Sequence, residues 1–167
     1  YAELKRQVDA LAGFLQRRCG VARGDRVLLY AQNSPQFVIA YYAILRADAV
    51  VVPVNPMNRT EELRHYVEDS DARVALAGND VLRFLEPLGL TVLPIVYSDY
   101  LGKTDLPVPD LVKAPGPALW REALAASLEP GPHRAQPEDL AVMPYTSGTT
   151  GKPKGCMHTH RTVQSTT

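Results

Sequence analysis

Three features of the 167-residue sequence predict an α/β fold, an open, mostly parallel, doubly wound sheet with flanking helices. Two unbroken apolar runs, Val27-Leu28-Leu29-Tyr30-Ala31 and Ala49-Val50-Val51-Val52-Pro53-Val54, have strand length and a pattern that calls for burial on both faces. A capped helical stretch lies between them, which makes a βαβ unit with parallel strands and a right-handed crossover. The alternation then repeats down the chain, and ligands of such sheets gather at the carboxyl ends of the strands.

Each element has its own local reason. Leu4, Val8, Leu11 and Leu15 recur at helical spacing, with Lys5, Arg6, Asp9, Arg17 and Arg18 mostly off that stripe. Gly20 ends this first helix, and Arg17 and Arg18 suit the negative end of its dipole. After the turn at Gly24-Asp25 and the first strand, Ser34-Pro35 starts a helix over Gln36 to Arg46, with Phe37, Tyr41 and Leu45 in one row. Beyond the second strand, Thr60 with Glu61 and Glu62 opens a helix to about Val67. Arg73 to Ala77 reads as a strand, Val81 to Leu85 as a helix and Val92 to Tyr97 as a strand. Ser98 to Pro117 is proline-broken loop, Leu119 to Leu128 a short helix around a packing residue, Trp120, and Leu140 to Tyr145 the last strand. Thr159 can cap a further helix beginning near His160. By this reading residues 1–128 form a βαβ-repeat subdomain and 129–139 a linker. Residues 140–167 hold a strand, a loop and the start of a helix, all within one incomplete domain.

The last strand delivers the most informative stretch, Tyr-Thr-Ser-Gly-Thr-Thr-Gly-Lys-Pro-Lys-Gly at 145–155. Gly148, Gly151 and Gly155 free the backbone so that successive N–H groups can converge on an anion. Thr146, Ser147, Thr149 and Thr150 offer hydroxyls to phosphate oxygens or a metal, and Lys152 and Lys154 bring positive charge. The plain alternative is a lysine-flanked surface turn. Lys152 reads as a solvated charge, and Lys154, beside the closing glycine, as the phosphate contact. A Walker A loop is excluded, because that pattern needs glycine at Thr146 and a hydroxyl at Pro153.

Thr146 to Gly155 instead resembles, without a gap, the signature of adenylate-forming enzymes: acyl-CoA synthetases, luciferases and the adenylation domains of peptide synthetases. Upstream, Gly24-Asp25-Arg26-Val27, Asn33-Ser34-Pro35 and Val51-Val52-Pro53-Val54-Asn55-Pro56 are similar in order to landmarks of the N-terminal part of acyl-CoA synthetases. Each is ordinary turn or cap chemistry alone, and Asn33, Asn55 and Asp25 are given no catalytic role. Two departures stand out. Cys156-Met157-His158 replaces small apolar residues, which predicts a less regular strand after the loop. Asp48-Ala49 replaces a common Gly-Ala and is read as a turn difference without functional weight.

The resemblance implies the first part of the large N-terminal domain of an adenylate-forming enzyme. It implies an ATP-dependent acyl-CoA synthetase, an acid–thiol ligase that activates a carboxylic acid as acyl-adenylate and passes it to coenzyme A. Thr146, Ser147, Gly148, Thr149, Thr150, Gly151, Lys152 and Lys154 are then the residues that hold ATP phosphates, with Thr146 near Mg²⁺. His160 stands where the family commonly has a histidine; a ligand anion and a capping or packing role both remain open for it. The family's ribose-binding, hinge and C-terminal lysine parts are absent from these residues. The chain is therefore expected to be a piece of a longer protein, inactive alone, with no catalytic residue of its own and prone to self-association through uncovered apolar surface. The alternatives are an adenylation domain of a peptide synthetase or another adenylate former, and a noncatalytic nucleotide-binding α/β module.

Bulk properties narrow the field further. Eighteen basic and eighteen acidic residues give no net charge, and no basic stripe appears, which argues against a nucleic-acid partner. Cys19 and Cys156 form no Cys-x-x-Cys pair and read as reduced, inert thiols of a cytoplasmic protein. His158 and His160 lack a nearby third metal ligand. No apolar run reaches the roughly 18 to 20 residues that span a bilayer.

Overall fold

A computed structural model describes residues 1–103, 107–110, 116–146 and 151–165. The elements along the chain are α1 (Ala2–Arg18), β1 (Arg26–Tyr30), α2 (Pro35–Arg46), β2 (Val50–Pro53), α3 (Thr60–Ser70), β3 (Val74–Gly78) and β4 (Thr91–Ile95). They continue with α4 (Leu119–Ala125), β5 (Leu140–Val142), β6 (Tyr145–Thr146), β7 (Lys154–Gly155), β8 (His158–Thr159) and α5 (His160–Gln164).

Six strands form one sheet in the order β4-β3-β1-β2-β5-β8. The first five run parallel, with Val27 opposite both Val51 and Val74, and Val51 opposite Val142. β8 is antiparallel to β5. Because β3 crosses over β1 to its far side while β2 lies on the near side, the sheet is wound in both directions, as its pattern predicts.

Period-two alternation explains why the central strands read as continuous apolar runs. Val27, Leu29, Val51, Leu76, Leu93 and Ile95 face one helical layer, made by Val8, Leu11 and Leu15 of α1, Ile39, Ala43 and Ile44 of α2, and Trp120 of α4. Leu28, Tyr30, Val50, Val52, Ala75 and Ala77 face the other, made by Leu63 and Tyr66 of α3 with Val81 and Leu85. Trp120 is fully buried, in keeping with a packing role.

Several boundaries follow the local chemistry. Gly20, at φ 71°, ends α1 and lets the Val21 N–H return to the Leu15 carbonyl at 3.0 Å. Ser34 Oγ accepts the Phe37 N–H at 3.2 Å and starts α2 at Pro35. Glu62 accepts the Arg59 N–H at 2.8 Å at the start of α3, which runs three residues past Val67 until Asp71 turns left-handed at φ 52°.

Other boundaries differ from expectation. The buried face of α2 is Gln36, Ile39, Ala40, Ala43 and Ile44, whereas Phe37, Tyr41 and Leu45 lie half-buried at its margin. Residues 82–88 form two 3₁₀ turns, Leu82–Phe84 and Glu86–Leu88, because Pro87 denies a longer helix its N–H. β4 ends at Ile95, and Tyr97–Tyr100 is a 3₁₀ turn. The last parallel strand stops at Val142, two residues before Pro144, and the chain re-forms as a separate hairpin of β6 with β7. After that hairpin Cys156-Met157 leaves a gap before β8, the irregularity that those residues forecast.

Asp48 carries more weight than a turn difference. It sits at φ 60°, which explains the glycine common there, and its side chain is only 6% exposed. The carboxylate accepts the N–H groups of Arg134 at 2.9 Å and Ala135 at 3.1 Å, with His133 Nδ1 2.5 Å away. Arg46 and Gln16 grip Gly131 at 2.9 Å each, and Arg23 pairs with Asp139 at 2.6 Å. The irregular stretch leading to β5 is thereby fastened to the amino ends of β1 and β2.

Candidate functional site

β5 runs between β2 and β8, and the chain leaves its carboxyl end through Met143 and Pro144 into the hairpin. The Met143 N–H donates to the Val51 carbonyl at 2.8 Å, which ties the hairpin's root to the centre of the sheet. Tyr145 pairs with Gly155 and Thr146 with Lys154, so the connection between the arms is residues 147–153. Of the expected phosphate-binding residues, Ser147, Gly148, Thr149 and Thr150 lie outside the described residues.

Alternation along this hairpin sorts its side chains into two faces. Tyr145 and Gly155 face the protein. Tyr145 stacks on Tyr66 of α3 with ring centroids 4.3 Å apart, and its hydroxyl donates to Asp69 at 2.6 Å. Burial first, then that acidic partner, pushes the Tyr145 phenol well above the usual tyrosine range. Gly155 lies so close over Met143 that a Cβ there would sit 3.0 Å from its Cγ and Sδ. On the opposite face, Thr146 and Lys154 are cross-strand partners and both are exposed. Lys152 and Gly151 are also exposed. Cys156 follows on the Lys154 face, half-buried, with Sγ 3.6 Å from Thr146 Oγ1.

An ammonium and a hydroxyl side by side at the mouth of a glycine-rich connection suit a polyanion, since one neutralises charge and the other bonds oxygen. They fit the phosphates of a nucleotide. Among the described residues no group of three or more acidic, histidine or cysteine side chains could cage a metal.

His160 does not join Thr146 and Lys154 on the exposed face of the hairpin. It opens α5 after the Thr159 cap, whose Oγ1 accepts the Thr162 N–H at 3.3 Å, and its own N–H donates to the Asp139 carbonyl at 3.0 Å. Thr159 pairs with Leu140 at the start of β5, so His160 lies at the amino end of the parallel strands. There it lines a cavity of about 310 Å³ with Arg23, Gly24, Asp48 and Asp139. Nearby, Asp139 is held below the usual carboxylate range, first by the Gln136 N–H and then by Arg23.

No local pattern singles out His65, Tyr66 and Asp69. Besides the two Tyr145 contacts, His65 Nε2 lies 2.7 Å from the Pro153 carbonyl, an oxygen that only accepts, so the ring donates. These three residues occupy i, i+1 and i+4 of an ordinary helix, and partners 76 and 88 residues away supply their meaning.

Comparison with known proteins gives a consistent result. The model of the family described as "AMP-binding enzyme" matches residues 1–167. The chain is 32% identical over 95% of its length to a 3-hydroxybenzoate/4-hydroxybenzoate–CoA ligase of Thauera aromatica, covering 30% of that protein. It is 32% identical over 98% of its length to a long-chain-fatty-acid–CoA ligase of Escherichia coli O6:H1, covering 32% of that protein. A long-chain-fatty-acid–CoA ligase structure from Archaeoglobus fulgidus superposes with a TM-score of 0.74 at 30% identity, over 95% of this chain and 29% of the other. The chain thus spans about a third of the length of the relatives it matches.

Proposed function

The chain belongs to the AMP-binding enzyme family, and from that premise we propose that it forms the N-terminal portion of an ATP-dependent acyl-CoA synthetase. In the first half-reaction a carboxylate oxygen attacks the α-phosphorus of ATP. The bond to the β-phosphate oxygen breaks, and acyl-adenylate and pyrophosphate result. In the second, the coenzyme A thiol attacks the acyl carbon, losing its proton, and AMP departs with the acyl–oxygen electron pair. The work asked of this chain is to hold the β and γ phosphates while negative charge shifts toward them, a task of positioning and electrostatics.

The observation that carries the proposal is the pairing of Thr146 with Lys154 on the exposed face of a hairpin rooted at the carboxyl end of β5. Lys154 neutralises charge there, and Thr146 supplies a hydroxyl to a phosphate oxygen or to Mg²⁺. Ser147, Gly148, Thr149, Thr150 and Gly151 complete the cradle in this reading, with Lys152 an outer charge. Mg²⁺ supplies charge neutralisation across the phosphates when bound. The two unpaired thiols accord with the cytoplasmic setting proposed for the enzyme.

Carboxylate-dependent exchange of labelled pyrophosphate into ATP by the full-length protein, across aromatic and fatty acids, tests the proposal. Exchange with some acid supports it. Absence of both ATP binding and exchange across that panel would overturn it. The 167-residue polypeptide alone should give no exchange, because it spans only about a third of the length of its relatives. Its apolar surface, including Val38 and Tyr42 one turn apart on α2 and Met57 and Met157, is proposed to drive self-association, measurable as mass above monomer by light scattering.

A further inference from the structure

We propose that His65, Tyr66 and Asp69 of α3 are positioning residues that clamp both arms of the phosphate-loop hairpin and so set its affinity for ATP, an inference that rests on the loop's proposed role. The three side chains project within about one helical turn and take hold of the hairpin on both sides of its connection. Tyr66 and Asp69 hold Tyr145 on the entering arm, through ring stacking at 4.3 Å and a 2.6 Å hydrogen bond. His65 holds the Pro153 carbonyl on the returning arm at 2.7 Å, and its ring meets Tyr145 edge-on at 6.0 Å.

The neighbours of the clamped residues are the ones that face outward. Fixing Tyr145 inward fixes Thr146 outward, and fixing the Pro153 carbonyl fixes the origin of Lys154. A two-residue pair of strands cannot hold itself, since an isolated hairpin is marginal even when longer. Its register must come from outside.

The source of that register is rigid. Leu63 of α3 is fully buried, and Tyr66 is 7% exposed. The Tyr66 hydroxyl accepts from Asn58 Nδ2 at 2.9 Å, and the Asn58 carbonyl accepts from Tyr30 Oη at 2.6 Å. The clamp is thereby continuous with the end of β1 at the centre of the sheet. Small displacements of groups that position phosphates have large kinetic effects, which is why such contacts act on ligand affinity and not only on folding.

The test is calorimetric titration of the full-length protein with Mg²⁺-ATP, and separately with coenzyme A as a control ligand. His65→Ala should weaken Mg²⁺-ATP by about fivefold to tenfold, the effect of one lost hydrogen bond, and leave coenzyme A affinity unchanged. His65→Gln, which keeps an N–H donor at similar reach, should restore most of the loss. Asp69→Ala and Tyr145→Phe should each weaken ATP, and their combination should cost little more than either alone. ATP affinity unchanged in His65→Ala, or equal weakening of both ligands, would overturn the clamp while leaving the phosphate-loop reading intact. A wild-type protein that binds no ATP would overturn that reading, and the clamp with it.

Discussion

Replacing Asp48 separates two effects that the structure superimposes at one residue. Its carboxylate accepts two backbone N–H groups, from Arg134 and Ala135, while its backbone holds φ 60°. Arg134 is exposed and Ala135 half-buried, so in a variant water takes over much of the lost bonding. The net loss is then about 1 kcal/mol per hydrogen bond, or about 2 kcal/mol together. Asp48→Gly should lose at least that amount, since the His133 contact goes with the carboxylate while glycine accepts left-handed backbone without strain. Asp48→Ala should lose about 1 kcal/mol beyond it, because alanine has neither the freedom of glycine nor the local hydrogen bonding that lets aspartate tolerate this region. Urea unfolding of the three proteins, compared by midpoint at constant slope, measures the difference. The expected order is wild type, then Asp48→Gly, then Asp48→Ala. A glycine variant as stable as wild type would refute the latch between Asp48 and residues 133–135. Equal stability of the two variants would refute the strain argument.

Within the loop, Lys154→Ala should weaken Mg²⁺-ATP binding by roughly tenfold, in line with loss of a charge-assisted contact, and Lys152→Ala by clearly less. Equal losses in calorimetry would contradict the assignment of Lys154 as the phosphate contact. Gly78→Ala should destabilise by about 3 kcal/mol through overpacking, since a Cβ there would lie 2.2 Å from Tyr97 Oη and 2.5 Å from Asp80 Oδ1; thermal unfolding reads the shift. Burial raises the phenols of Tyr30, Tyr41, Tyr97, Tyr100 and Tyr145, with Tyr97 pushed up to about 12. The folded state then keeps protons that the unfolded chain has lost. The associated stability is complete below the ordinary tyrosine value of 10.0 and is lost as pH rises through the folded values, so alkaline absorbance titration should show these phenols ionising late. For Asp139 the sign is opposite: its contribution is present above the ordinary value of 3.8 and is lost as pH falls through the depressed one. Asp139→Asn should flatten the acid limb of a stability–pH curve.

The sequence by itself determined where most of the strands and helices form. Runs such as Val27 to Ala31, the Ser34-Pro35 cap and Gly20 act within a few residues of themselves, where local sterics and hydrogen bonding decide the outcome. The adenylate-forming signature was legible for the same reason, since its glycines, hydroxyls and lysines are contiguous. Boundaries at prolines were legible only in part. Pro87 and Pro144 shortened elements whose apolar content called for longer ones.

Tertiary structure alone decided what the arms of the hairpin pack against. His65, Tyr66 and Asp69 make unremarkable helix until Tyr145 and Pro153 arrive from 76 and 88 residues away. Asp48 looked like a neutral exchange for glycine until residues 134 and 135 closed onto its carboxylate. His160 follows the loop closely in sequence, yet the antiparallel return of β8 carries it to the opposite end of the sheet. In each case the deciding contact joins residues that share no local pattern. Chain reversals and sheet order bring them together, and one-dimensional periodicity carries no record of either.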